Sequence, residues 1–142
     1  MKTAKDVIDN FFFHTNTISK DALASDAFSI METENRDYMV VLEDNECVGI
    51  VSEIDYMKKI ILAGINSGQT KVQDIMTSSI CFVDMKDPVL KCLELMDSFK
   101  IRHLLVFENA SFRGVITLHD VMRAIFEETV IKQFEQEQIK NF

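Results

Sequence analysis

The sequence predicts an α/β chain, α+β in stricter schemes, made of two β-α-β-β-α units packed through their sheets with pseudo-two-fold symmetry. Three observations lead there. The chain matches itself at a fixed offset; strand-like and helix-like apolar patterns recur in the same order in both halves; and each half holds a glycine-x-x-hydroxyl-x-x-aspartate segment where a strand gives way to a helix.

The self-match starts at Val7, which pairs with Val72, and runs without a gap at an offset of 65 residues. In that register Asp9 meets Asp74, Met31 meets Met96, Val41 meets Val106, Gly49 meets Gly114, Asp55 meets Asp120 and Met57 meets Met122. The hydrophobic pattern repeats along with them, which is the mark of one duplicated supersecondary unit. The resulting division is a first repeat over 1–65 with its N-terminal segment, a linker over 66–71, and a second repeat over 72–142 with an extended last helix.

Each repeat opens with a short strand, over 16–19 and 80–84, followed by a helix starting near Asp21 and near Asp87. Asp87 before Pro88 suits an N-cap and first-turn pair, and Val89, Cys92, Leu93 and Met96 give that helix one apolar stripe. Two hairpins follow, over 38–43 with 47–52 and over 103–108 with 112–117, joined by Asp44-Asn45 and Asn109-Ala110 turns. The runs Met39-Val40-Val41-Leu42 and Leu104-Leu105-Val106-Phe107 are continuous and not alternating, so both faces of these strands are expected to be covered. A second helix closes each unit. The first ends near Gly64; the second keeps a helical period through Val121, Met122, Ile125, Phe126, Val130, Ile131 and Phe134. Its far end is either a solvated tail or a partner contact through Val130 and Phe134.

A net charge of −8 and a pI near 4.8 argue against nucleic acid as partner, because duplex binding needs clustered Lys and Arg. No segment approaches the roughly 18 apolar residues of a membrane span. The N-terminal stretch places acids before its aromatic cluster and lacks a small-residue cleavage site, so a cytoplasmic location is expected. Cys47, Cys81 and Cys92 form an odd set without CxxC spacing and read as reduced apolar fillers. His14, His103 and His119 have no metal-ligand spacing, and no GxSxG, HExxH or GxxxxGK loop occurs. No enzyme, no metal site and no required cofactor are expected.

The segments Gly49 to Asp55 and Gly114 to Asp120 carry the most functional information. Ser52 or Thr117 followed three residues later by an aspartate is a capping box that any helix can use. The same arrangement can also serve a ligand. A helix start beyond a strand offers free N–H groups to an anion, while a fixed carboxylate accepts from ribose hydroxyls.

The duplicated β-α-β-β-α order, the Gly-x-x-Ser/Thr-x-x-Asp signature in both halves, the entry Val72-Gln73-Asp74-Ile75-Met76-Thr77 and the strand Lys100 to Val106 resemble a tandem pair of cystathionine-β-synthase-type (CBS) domains. The resemblance implies a regulatory module that binds an adenosine-containing nucleotide, AMP, ADP or ATP, in a cleft between the repeats. S-adenosylmethionine and NAD are less favoured. In the second repeat it implies Thr117 and Asp120 at the ribose, Thr77, Ser79 and Ile80 with Leu104, Leu105 and Val106 around the base, Arg102 and His103 at phosphate, and His119 and Arg123 as helpers. The first repeat offers a weaker version with Phe12, His14, Tyr38, Ser52 and Asp55; Asp37 and Tyr38 stand there in place of Arg102 and His103. Its Phe11-Phe12 pair is read as a plug in an unused cavity, with stacking on a base as the alternative. The resemblance also implies a homodimer and an unidentified regulated protein as partners. A ligand-free dimerisation or interaction scaffold is the competing reading.

Overall fold

Both hairpins form where their apolar runs and turn residues place them in the computed structural model, which describes residues 1–9, 17–79 and 81–141. β2 (Tyr38–Glu43) pairs antiparallel with β3 (Glu46–Ser52), and β5 (His103–Glu108) with β6 (Ser111–Thr117). The two connecting turns hold both central residues at positive φ: 51° and 64° at Asp44 and Asn45, 50° and 64° at Asn109 and Ala110. This is the hairpin-turn backbone whose twist matches that of the strands; Asp and Asn tolerate it, and Ala110 is strained by it. A β-bulge falls at Val41/Leu42 and again at Val106/Phe107, 65 residues on. Short strands β1 (Thr17–Ser19) and β4 (Phe82–Asp84) pair parallel to β2 and β5, completing two three-stranded sheets. The expected first residues of these strands, Asn16 and Ile80, lie outside the described residues.

The helices α2 (Ala24–Thr33) and α5 (Val89–Phe99) start later than the sequence predicts, for a tertiary reason. Leu23 forms a β-bridge with Lys71, and Pro88 one with Thr3. The N–H groups of Ala24 and Val89 donate to the carbonyls of Thr70 (2.8 Å) and Lys2 (3.0 Å). Leu23 and Pro88 are thereby held extended and become the cap residues, so Pro88 takes the position expected of Asp87. Asp87 instead accepts from the N–H of Asp84 (2.9 Å) and pairs with Lys91 (3.1 Å).

Those bridges come from two leading helices, α1 (Ala4–Asp9) and α4 (Val72–Ile75). Ala4, Val7 and Ile8 are buried in one core with Val83, Val89, Leu104, Ile116 and Val121. Val72 and Ile75 are buried in the other with Ala27, Met31, Met39 and Val51. Each leading helix therefore completes the core of the other sequence repeat. The chain divides accordingly into a unit of Met1–Phe13 with Cys81–Phe142 and a unit of His14–Ile80. The gapless register needs one correction. Thr3 and Lys71 play the same bridging part and the helices begin at Ala4 and Val72, so the leading helices match at an offset of 68 while the strands match at 65. The structural counterpart of Val72 is Ala4.

The closing helices differ between the units. After β3 the chain forms α3 (Glu53–Asp55) and then a π-helical segment, Tyr56–Ile61, in which Leu62 N–H donates to Met57 O at 3.0 Å. Gly64, at φ 67°, ends it where the sequence predicts. After β6 the chain continues as α6 (Leu118–Lys140), whose buried residues are Val121 and Ala124. Val130 and Phe134 are exposed. Among the described residues no helix is long and apolar enough to cross a membrane.

Candidate functional site

Both glycine-x-x-hydroxyl-x-x-aspartate segments fold alike, as a strand running directly into a helix, yet the two carboxylates end in different environments. In the second repeat the capping box is complete: Asp120 N–H donates to Thr117 Oγ1 (3.1 Å) and Thr117 N–H donates to Asp120 Oδ2 (3.0 Å). The Thr117 hydroxyl accepts in this pair and keeps the capacity to donate one hydrogen bond. Asp120 is half-buried, and among the described residues no hydrogen bond or ion pair engages its Oδ1.

The sheet brings the start of β5 to the same junction. His103 lies opposite Thr117 in the β5–β6 register, and Leu118 N–H donates to Arg102 O (2.8 Å), so the start of β5 lies beside the start of α6. Arg102 and His119 are exposed, His103 is half-buried, and Arg123 lies one turn along α6 from Asp120. Lys100, left-handed at φ 52°, pairs with Asp97 at 3.2 Å, and Arg113 precedes Thr117 by four residues, about 13 Å along the strand. Leu104 and Val106 point into the core, while Leu105 between them belongs to the opposite face of β5. Of that run, only Leu105 and the backbone remain to line a base.

In the first repeat the carboxylate is saturated. Asp55 is 4% exposed. Its Oδ2 accepts from Ser52 N–H (2.9 Å) and the Ser52 hydroxyl (3.3 Å); its Oδ1 accepts from the Thr77 hydroxyl (3.0 Å) and pairs with Lys59 Nζ (2.8 Å). The capping box is complete here too, and the Ser52 hydroxyl in addition donates to its own aspartate. Tyr38, buried, lies opposite Ser52 at the start of β2.

The place of Thr77 is a correction. The sequence groups it with Thr117 and Asp120, whereas its N–H and C=O are bonded to Ile50 (2.8 and 3.0 Å) and its hydroxyl to Asp55. The cause is α4, which is anchored in the first-repeat core and delivers Met76 and Thr77 against β3. Gly49 makes this approach feasible: a Cβ there would stand 2.8 Å from Met76 Sδ and 2.9 Å from Thr77 O. Ser79 is exposed; Ile80, Phe12 and His14 lie outside the described residues. Sequence reasoning missed Lys59. Its signal was present, since Lys59 stands four residues after Asp55 while the matching position after Asp120 is Ala124.

Among the described residues, each of the two sheet-and-helix repeats has a capped strand-to-helix junction, and the carboxylate keeps an uncommitted oxygen in the second. The CBS domain family model matches residues 4–62 and again 72–127, starting at the Ala4 and Val72 that the fold pairs, and the chain belongs to that family. Tandem CBS domains are regulatory ligand-binding modules. The mitochondrial CBS domain-containing protein CBSX3 of Arabidopsis thaliana is 35% identical over 113 residues, 76% of this chain and 55% of that protein. An uncharacterised 33.4 kDa protein of Thermofilum pendens is 31% identical over 68% of this chain and 31% of its own length. The chain thus spans about half or less of these two relatives. A crystal structure of a CBS-domain protein from Agrobacterium tumefaciens superposes with a TM-score of 0.81 at 25% identity, covering 87% of this chain and 98% of that one. A CBS-domain protein from Burkholderia ambifaria does so with a TM-score of 0.81 at 25% identity, covering 87% and 93%.

Proposed function

We propose that the chain is a non-catalytic sensor that binds an adenosine phosphate, AMP, ADP or ATP, at the Thr117–Asp120 junction of the second repeat. The observation that carries this reading is the uncommitted Oδ1 of Asp120 beside the Thr117 hydroxyl, at the N-terminus of a 23-residue helix and next to Arg102. A carboxylate with a free oxygen accepts from a ribose hydroxyl; the helix start and a guanidinium favour phosphate. Arg102 and His103 favour a phosphorylated ligand over S-adenosylmethionine. Occupancy regulates a partner protein only if the ligand prefers one arrangement of the module over another. A cytoplasmic setting is part of the proposal.

A panel of AMP, ADP, ATP, S-adenosylmethionine and NAD in thermal-shift measurements tests it. A ligand at a hundred times its dissociation constant adds about 2.7 kcal/mol, or several degrees for a chain of this size. Adenosine phosphates are expected to raise Tm in the parent and not in Thr117→Ala. Silence across the panel would favour the second reading, a ligand-free homodimer scaffold. That reading has its own support: Met57 and Ile61 on the first closing helix with Ile65 just beyond its end, and Met122, Phe126 and Val130 on the second, matched at an offset of 65, are all exposed by 45–68%. We assign this doubled apolar ladder to a homodimer contact, which is compatible with nucleotide binding.

A further inference from the structure

We infer that the first-repeat junction is closed to ligands by its own Lys59 ammonium, so that of the two junctions the one at Thr117 and Asp120 stays open; the identity of the ligand rests on the nucleotide reading above, the closure does not.

The Lys59 Nζ stands where a ligand would have to bond. It lies 2.8 Å from Asp55 Oδ1, 2.9 Å from Ile75 O, 3.4 Å from Met76 O and 3.5 Å from Thr77 Oγ1. A ribose diol holds an aspartate by donating two hydrogen bonds to it. At Asp55 those directions are filled by an ammonium and a threonine hydroxyl, with serine on the other oxygen. Displacing Lys59 would leave a carboxylate that is 4% exposed without its counter-charge, in a setting where an unpaired charge is strongly disfavoured. The carbonyls that share the ammonium belong to the end of α4, which Val72 and Ile75 anchor in the same core. The lysine is therefore held from two elements.

The second repeat shows what the junction looks like without the lysine. Ala124 stands at the matching position of a regular α-helix, and Asp120 is left half-buried with one oxygen uncommitted. Only in the first repeat does the closing helix wind as a π-segment, over Tyr56–Ile61, the stretch that carries Lys59. The two junctions have the same backbone plan and differ in whether the chain supplies its own cation.

Two measurements on the full chain decide this. Calorimetric titration with ADP is expected to count one site in the parent, none in Asp120→Asn, and two in Lys59→Ala or, if alanine fails to fold, in Lys59→Met. Two sites in the parent, a site that survives Asp120→Asn, or an unchanged count in the lysine variants overturns the closure. Thermal melts of Asp55→Asn, Lys59→Met and the double variant need no nucleotide. Each single change is expected to lower Tm by about 5 °C, with the double variant no lower than the worse single one. Additive losses overturn the lock. If no nucleotide binds the parent while the melts are non-additive, the nucleotide reading falls and the lysine lock stands.

Discussion

Thr117 and Ser52 differ by one methyl group and both cap their helices, yet the aspartate beside Ser52 is buried and saturated while Asp120 keeps one oxygen uncommitted among the described residues. The difference comes from what reaches the aspartate from elsewhere in the chain. Position-by-position reading found both hydroxyls and both acids, because the capping box is local. It missed the saturation of Asp55 because Thr77 arrives from 22 residues away. Two predictions belong at this scale. Ala110, at φ 64° in a turn that prefers glycine, is expected to gain about 1 kcal/mol of stability on Ala110→Gly, read as a rise of roughly 2–4 °C in Tm. Gly49→Ala is expected to cost about 1–3 kcal/mol in denaturant unfolding, because the new Cβ meets the Thr77 carbonyl, which is bonded to Ile50 and cannot withdraw freely. A neutral result would mean that Met76 and Thr77 do not press on β3.

The strands of the hairpins were legible almost to the residue, since a continuous apolar run between turn residues has few other solutions. The helix starts were not. Leu23 and Pro88 are set by bridges to Lys71 and Thr3, contacts that propensity near Asp21 or Asp87 does not encode. The π-segment after Asp55 is equally silent in the pattern, because Ile60 still reaches the core. α5 yields a pH prediction. Burial of Cys92, first, and then the nearby Asp87 push its thiol up to about 11 from an ordinary value of 9.0. In the unfolded chain the thiol ionises first, so the folded state loses stability as pH rises from 9 to 11, by up to about 3 kcal/mol. Below pH 9 this contribution is fully present. Denaturant melts at pH 8, 9.5 and 11 on the parent and on Cys92→Ala check the sign. The variant is less stable throughout because of its cavity, and its decline with pH is expected to be shallower.

For the whole molecule, duplication was the most legible property, and the exchange of leading helices the least. The family match and the strand register both speak of two repeats, but Val72 and Ile75 complete the core of the first and Ala4, Val7 and Ile8 that of the second. A fragment over 14–80 is therefore expected to unfold cooperatively, while one over 1–65, cut at the sequence boundary, lacks its core closure and is expected to show a broad, weak transition by circular dichroism. At the same scale, the homodimer proposal predicts twice the chain mass in sedimentation velocity, and the monomer mass for Phe126→Glu, whose side chain is 68% exposed in the parent.

The central claim is that only the second junction takes an adenosine phosphate. Backbone amide shifts recorded while ADP is added to the labelled chain test it most directly. Arg102, His103 and Thr117 to Asp120 are expected to move and saturate together while Ser52 to Asp55 stay in place. Saturating shifts at Ser52, Asp55 and Thr77, or none at Asp120, would contradict it.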